Sequence, residues 1–124
     1  MASRNMTAIS FRSDSALPYD EGGAVPTVPL LGLDFANLSL DTVLERLAAR
    51  APGVPFGYVV TPNSDHLVRL HRRPDLRPLY TEALLRLLDS RVVARAARIV
   101  GLSAPAVVPG SDLTARVVQE VLRV

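Results

Sequence analysis

The sequence predicts an α/β fold in one domain, on three observations. Short apolar runs rich in Val and Leu alternate with amphipathic stretches of helical period. One run, Phe56-Gly57-Tyr58-Val59-Val60-Thr61, is nearly continuous in β-forming residues, the pattern of a strand buried on both faces of a parallel sheet. The chain has 124 residues, enough for one core and too few for two.

The elements follow in order. Residues 1–25 mix Ser, Asp, Gly and Arg without period and are expected to form a disordered leader, with the domain over 26–124. Thr27 to Phe35 suits a strand or hairpin with its turn near Gly32-Leu33-Asp34. Leu40, Val43, Leu44 and Leu47 then fall on one face of a 3.6-residue period. Ser39 is placed to cap that helix, and Asp41 in its first turn suits the dipole. Ala51-Pro52-Gly53 ends it.

After the Phe56–Thr61 strand, Ser64–Arg73 forms a second helix stopped by Pro74. A third is expected from Pro74 through Leu88, distorted near Pro78, with Arg86–Asp89 ambiguous between helix end and strand. Ser90–Val100 is a further helix closed by Gly101, with Val92, Val93, Ala96, Ile99 and Val100 as its apolar side and Arg91, Arg95 and Arg98 as its polar side. Ala104–Gly110 reads as a brief extended segment, and a last helix with Ser111 as its cap runs to Val124. An α/β sheet normally continues with another strand after such a helix, so the sheet is expected to be incomplete at the C-terminus.

Composition excludes several function classes. Apolar residues make up 48%, which is too many for a disordered chain. All 14 basic residues are Arg, set against 12 acidic ones, and a net charge of +2 spread along the chain is poor ground for a nucleic-acid partner. Cysteine is absent, so there is no disulfide, thiolate metal site or Cys nucleophile. His66 and His71 lack a partner set for a metal and are better explained as capping or solvent-facing. No stretch approaches the roughly 18 apolar residues of a membrane span, and no secretory signal is visible, so a cytoplasmic location is expected.

Four constellations could carry chemistry. Thr61-Pro62-Asn63 stands at a strand's carboxyl end, where open α/β sheets bind ligands, and Thr61 and Asn63 could hydrogen-bond a sugar or nucleotide. Asn63 or Ser64 could equally be the ordinary cap of the next helix. Asp89 could serve as a general base at the mouth of the sheet, or as a helix N-cap. Gly110-Ser111-Asp112 makes a tight turn into a helix whose N–H groups could hold a phosphate, though most such turns bind nothing. The arginines at 91, 95 and 98 share a helical face, and those at 69, 72, 73 and 77 cluster around residues 66–77; this set could meet anionic lipid or diphosphate, or simply water.

Taken together, VPLLGLDFANLSLDTVLERL, YVVTPNSDHLVRLHRRPDLRPLY, Asp89 before an Ala- and Arg-bearing helix, and PGSDL resemble the WecG/TagA/CpsF glycosyltransferases (glycosyltransferase family 26) over roughly residues 27–113. The resemblance implies an α/β fold with a Rossmann-like partial sheet and flanking helices. It implies transfer of a hexose or N-acetylhexosamine-type sugar from a UDP-sugar to a polyprenyl-diphosphate-linked acceptor, in the synthesis of bacterial surface polysaccharide or teichoic acid. Asp89 matches the family's general base, Thr61 and Asn63 its Thr-Pro-Asn pocket, and Gly110 and Asp112 its Gly-x-Asp turn near the donor. No cofactor or metal is implied.

Three departures stand out. The family's catalytic turn usually has Gly after the Asp, where this chain has Ser90; a missing Gly is expected to hinder close approach of substrate to backbone. Arg-Val-Thr before the second turn is replaced by Val107-Val108-Pro109. Family members are also longer, with a second half and an Arg-bearing tail that meets the membrane. The chain is therefore expected to be the N-terminal part of such an enzyme or a truncated product, peripheral on the inner membrane face through the C-terminal part. The competing expectation is a non-catalytic remnant acting as a binding or assembly piece.

Overall fold

The computed structural model describes residues 24–122. The leader expected over 1–25 thus lies, for residues 1–23, outside the described residues.

The described chain is a mixed α/β structure with two small open sheets flanked by helices. Strands β1 (Thr27–Leu30) and β2 (Leu33–Ala36) form the expected antiparallel hairpin. Its turn falls one residue earlier than expected, at Leu31-Gly32, because Leu33 is needed in the core at 2% exposure. Both turn residues take positive φ, 53° and 80°, the backbone of a two-residue type I′ turn.

Helix α1 (Leu40–Ala48) is capped by Ser39, whose Oγ accepts from the Thr42 N–H at 3.2 Å, and it buries Val43 and Leu44. Strand β3 (Val59–Val60) pairs in parallel with β4 (Leu85–Arg86). Between them lie helix α2 (Ser64–Arg72), a 3-10 turn (Pro74–Leu76) and the short helix α3 (Arg77–Thr81). Helix α4 (Arg91–Ile99) ends on Gly101 at φ 87°, with the Gly101 N–H on the Arg98 carbonyl and the Leu102 N–H on that of Ala97, a Schellman closure. A third parallel segment touches the sheet at Val107, opposite Leu88. Helix α5 (Gly110–Arg116) follows and widens into a π-helical stretch over Val117–Leu122.

Side chains alternate across this sheet. Leu88 joins a core with Leu30, Phe35, Leu67, Leu70, Ala94 and Ala97, from the hairpin, α2 and α4. Leu85, Leu87 and Val108 join a second core with Val43, Leu44 and Leu113, from α1 and α5. The sheet thus has helices on both faces, which is why the stretch through Leu87 and Leu88 is fully apolar and fully buried.

Three sequence expectations are corrected. The doubly buried strand is the one through Leu87 and Leu88; β3 has a strand neighbour on one side only among the described residues, Phe56 is 92% exposed, and Val59 and Val60 are half-buried. The long third helix is cut to five residues by the pairing of Leu85 and Arg86 with β3. The apolar side expected for α4 faces water except at Val93, and the small Ala94 and Ala97 face the core instead.

Candidate functional site

Three chain segments end at one edge. The Pro62 carbonyl accepts from the Asp89 N–H at 3.0 Å, and the Leu88 carbonyl accepts from the Val108 N–H at 2.9 Å. These bonds hold the strands side by side and in parallel, so Thr61-Pro62, Asp89 and Pro109-Gly110 arrive together at the carboxyl edge. Ligands bind beyond that edge in open α/β sheets.

Asp89 is half-buried there, and its Oδ2 accepts from the Gly110 N–H at 3.0 Å. The helix cap that Asp89 could have supplied is supplied by Ser90, whose Oγ accepts from the Val93 N–H at 3.0 Å. Oδ1 of Asp89 makes no hydrogen bond with a described residue and stays available to a proton donor. Ser90 sits at φ −162° and ψ 108°, extended backbone that any residue adopts. A glycine is thus not required there for backbone conformation, and the Ser in its place caps α4.

The glycine that is required lies on the neighbouring segment, at Gly110. A Cβ on Gly110 would stand 2.6 Å from Thr61 Oγ1, 3.4 Å from Thr61 Cβ and 3.5 Å from Asp89 Oδ2. Only a hydrogen fits at the first of these distances, so Thr61, Asp89 and Gly110 form one close-packed cluster drawn from three segments. The Gly110 N–H, one of those that could have held a phosphate, is given to Asp89. Pro109 occupies the cap position of α5 and Ser111 lies within the helix, against the expectation that Ser111 is the cap. Asp112 is exposed in the first turn of α5 and makes no hydrogen bond or ion pair with a described residue.

Asn63 caps α2, the ordinary role open to it from the sequence. Its Oδ1 accepts from the His66 N–H at 3.1 Å, and the His66 Nδ1 accepts from the Asn63 N–H at 3.1 Å, a reciprocal capping box. The Asn63 amide nitrogen remains unengaged among the described residues and can donate to a ligand. His66 is thus the capping histidine that its lack of metal partners suggested. No three His, Asp or Glu side chains among the described residues cluster so as to hold a metal ion.

Two supporting residues escaped the sequence reading. Arg86, three positions before Asp89, donates from Nε to the Asp34 carbonyl at 2.7 Å and from Nη1 to the carbonyls of Tyr80, Thr81 and Ala83 at 3.1, 3.2 and 3.0 Å. It ties the hairpin and the end of α3 to β4. Burial lowers its pKa, and Asp34 and Tyr58 nearby push it back up. The one signal was a charge inside an otherwise apolar run, Leu84-Leu85-Arg86-Leu87-Leu88. Asn37 Oδ1 accepts from the Ala106 N–H at 3.0 Å and so steadies the segment that delivers Gly110; nothing in local sequence marks it.

Among known proteins, no curated protein and no solved structure matches the chain. A family does: the Glycosyl transferase WecG/TagA/CpsF family matches residues 28–123, a span that takes in Thr61, Asn63, Asp89, Gly110 and Asp112. With nearly all of the described residues inside that match, the chain belongs to the WecG/TagA/CpsF glycosyltransferase family.

Proposed function

We propose that the chain carries the acceptor-activating half of a UDP-sugar glycosyltransferase, on a Rossmann-like sheet, with residues 26–124 forming the N-terminal part of the catalytic domain. The donor is a UDP-hexose or UDP-N-acetylhexosamine and the acceptor a polyprenyl-diphosphate-linked sugar, met from the cytoplasmic side at the membrane surface. The observation that carries this reading is the convergence of Thr61 Oγ1, Asp89 Oδ2 and Gly110 at one sheet edge.

In this reaction Asp89 takes the proton of the acceptor hydroxyl. The hydroxyl oxygen bonds to the anomeric carbon, the bond from that carbon to the UDP oxygen breaks, and UDP leaves with the electron pair. Thr61 and the Asn63 amide position the sugar or uridine, while Gly110 and Asp112 line the donor side. The test is UDP release in the presence of a lipid-linked acceptor. Asn in place of Asp89 can still accept from the Gly110 N–H but cannot take a proton, so Asp89→Asn should lower turnover about 10²- to 10⁴-fold while costing only about 1 kcal/mol in unfolding. Turnover at the wild-type rate in that variant overturns the role of Asp89.

A second reading, a binding or assembly piece without turnover, is favoured by the bare outer edge of β3 among the described residues. UDP-sugar binding in calorimetry with no UDP release selects it.

A further inference from the structure

Helix α4 turns outward a face that no described residue covers. Val92, Ile99 and Val100 are 75%, 78% and 70% exposed, and Leu102 just past the helix is 56% exposed. At 3.6 residues per turn, Val92, Ala96, Ile99 and Val100 form one outward strip. Arg91, Arg95 and Arg98 form a second strip directly beside it, all exposed. These arginines make no hydrogen bond or ion pair with any described residue, and residues 90–111 contain no Asp or Glu to balance them.

An aliphatic strip alone would fit many partners. A basic strip running along it narrows the choice to a surface that is apolar and anionic at once. We propose that the outward face of α4 docks on an anionic lipid surface, with the aliphatic strip at the acyl–headgroup boundary and the arginines on lipid phosphates. Nine residues bury little area, so the contact is reversible and salt-sensitive. The helix begins two residues after Asp89, so docking sets the candidate site at the lipid–water boundary. This last consequence rests on the transferase reading; the docking itself does not.

Co-sedimentation of the full chain tests it, with vesicles of phosphatidylcholine alone and of phosphatidylcholine with phosphatidylglycerol. The chain should pellet with the anionic vesicles, less so as salt rises, and remain in solution with the zwitterionic ones. Arg91→Ser with Arg95→Ser should weaken partitioning about 25-fold, at about fivefold per charge. Val92→Ser with Ile99→Ser should also weaken it while leaving thermal unfolding unchanged, since both side chains already face water. Absence of binding to anionic vesicles, or equal binding by wild type and both double variants, overturns the proposal. So does a concentration-dependent dimer abolished by Ile99→Ser, which assigns the face to a second copy. Transfer to a water-soluble acceptor needs no membrane: transfer without vesicle binding refutes the docking alone, and vesicle binding without transfer refutes the transferase reading alone.

Discussion

Gly110→Ala puts a methyl group into the tightest point of the site. The new carbon would lie 2.6 Å from Thr61 Oγ1, well inside the 3.4 Å at which ordinary contact begins. Two relaxations are open. Thr61 can rotate its hydroxyl away, which costs part of a rotamer preference, or the start of α5 can retreat, which breaks the 3.0 Å bond from Gly110 N–H to Asp89. Overpacking of this kind costs about 1–3 kcal/mol. A lost hydrogen bond to a charged acceptor adds about 1.5–3 kcal/mol. Alanine returns at most about 1 kcal/mol through its better helix propensity. The three terms sum to a net loss of about 1.5–6 kcal/mol in urea unfolding. The cause can be isolated with Thr61→Ala, which removes the oxygen and leaves the Thr61 Cβ position at 3.4 Å, an ordinary contact. In that background Gly110→Ala should be nearly neutral, giving a coupling of about 1–3 kcal/mol between the two sites. Strict additivity, or a Gly110→Ala variant as stable as wild type, would refute the claim that Thr61 dictates glycine at this position.

Other outcomes follow from the same geometry. Arg86→Lys should lose more than about 1.5 kcal/mol, because one ammonium cannot span the four carbonyls that the guanidinium reaches; a Lys variant of wild-type stability removes Arg86 as a strut. His66→Ala should cost about 1 kcal/mol in thermal unfolding, while His66→Gln keeps most of it because Gln serves at the same capping-box position. Equal losses for both would show that the reciprocal bond contributes nothing. The Asp75 carboxyl lies below its ordinary pKa, chiefly through the hydrogen bond from Arg73. Its small contribution to stability is therefore present above the unfolded-state value and lost as pH falls through the folded one. Carboxyl titration by NMR should show the depression, and Arg73→Ser should abolish it.

Much of the fold was legible where local and global demands agree. Helices α1 and α2 carry their own period and their own caps, Ser39 and Asn63, and the structure keeps them. The failures share a cause. Residues 83–88 are Leu-rich and locally helical, yet Leu85 and Arg86 within them form β4 because sheet pairing with β3 outweighs propensity. Which strand is buried on both faces depends on which one lies in the middle, and no property of Phe56–Thr61 alone can show that. The period of α4 was right and its face was wrong, because close approach to the core selects Ala94 and Ala97 over larger residues. Thr61, Asp89 and Gly110 were singled out by the family resemblance, and the structure brings the three to one sheet edge. Arg86 and Asn37 were not, since the hairpin carbonyl that Arg86 reaches lies 52 residues away in the chain and the partner of Asn37 lies 69 away.

Asn63 and Asp89 each had a competing role as a helix cap in the sequence, and the structure divides the roles around the site between neighbours. Ser90 caps α4, which leaves the Asp89 carboxylate free of its own helix. Asn63 caps α2 with its oxygen, which leaves its amide nitrogen over. Pro109 takes the cap position of α5 with no side-chain oxygen, so the Gly110 N–H has Asp89 as its acceptor. The orientation of Asp89 is therefore set by a segment 21 residues further along the chain. That segment is held in turn by Val108 on the Leu88 carbonyl and by Ala106 on Asn37. A change at Asn37, just past the end of β2, should thus reach the Asp89 carboxylate through α5 rather than through α4.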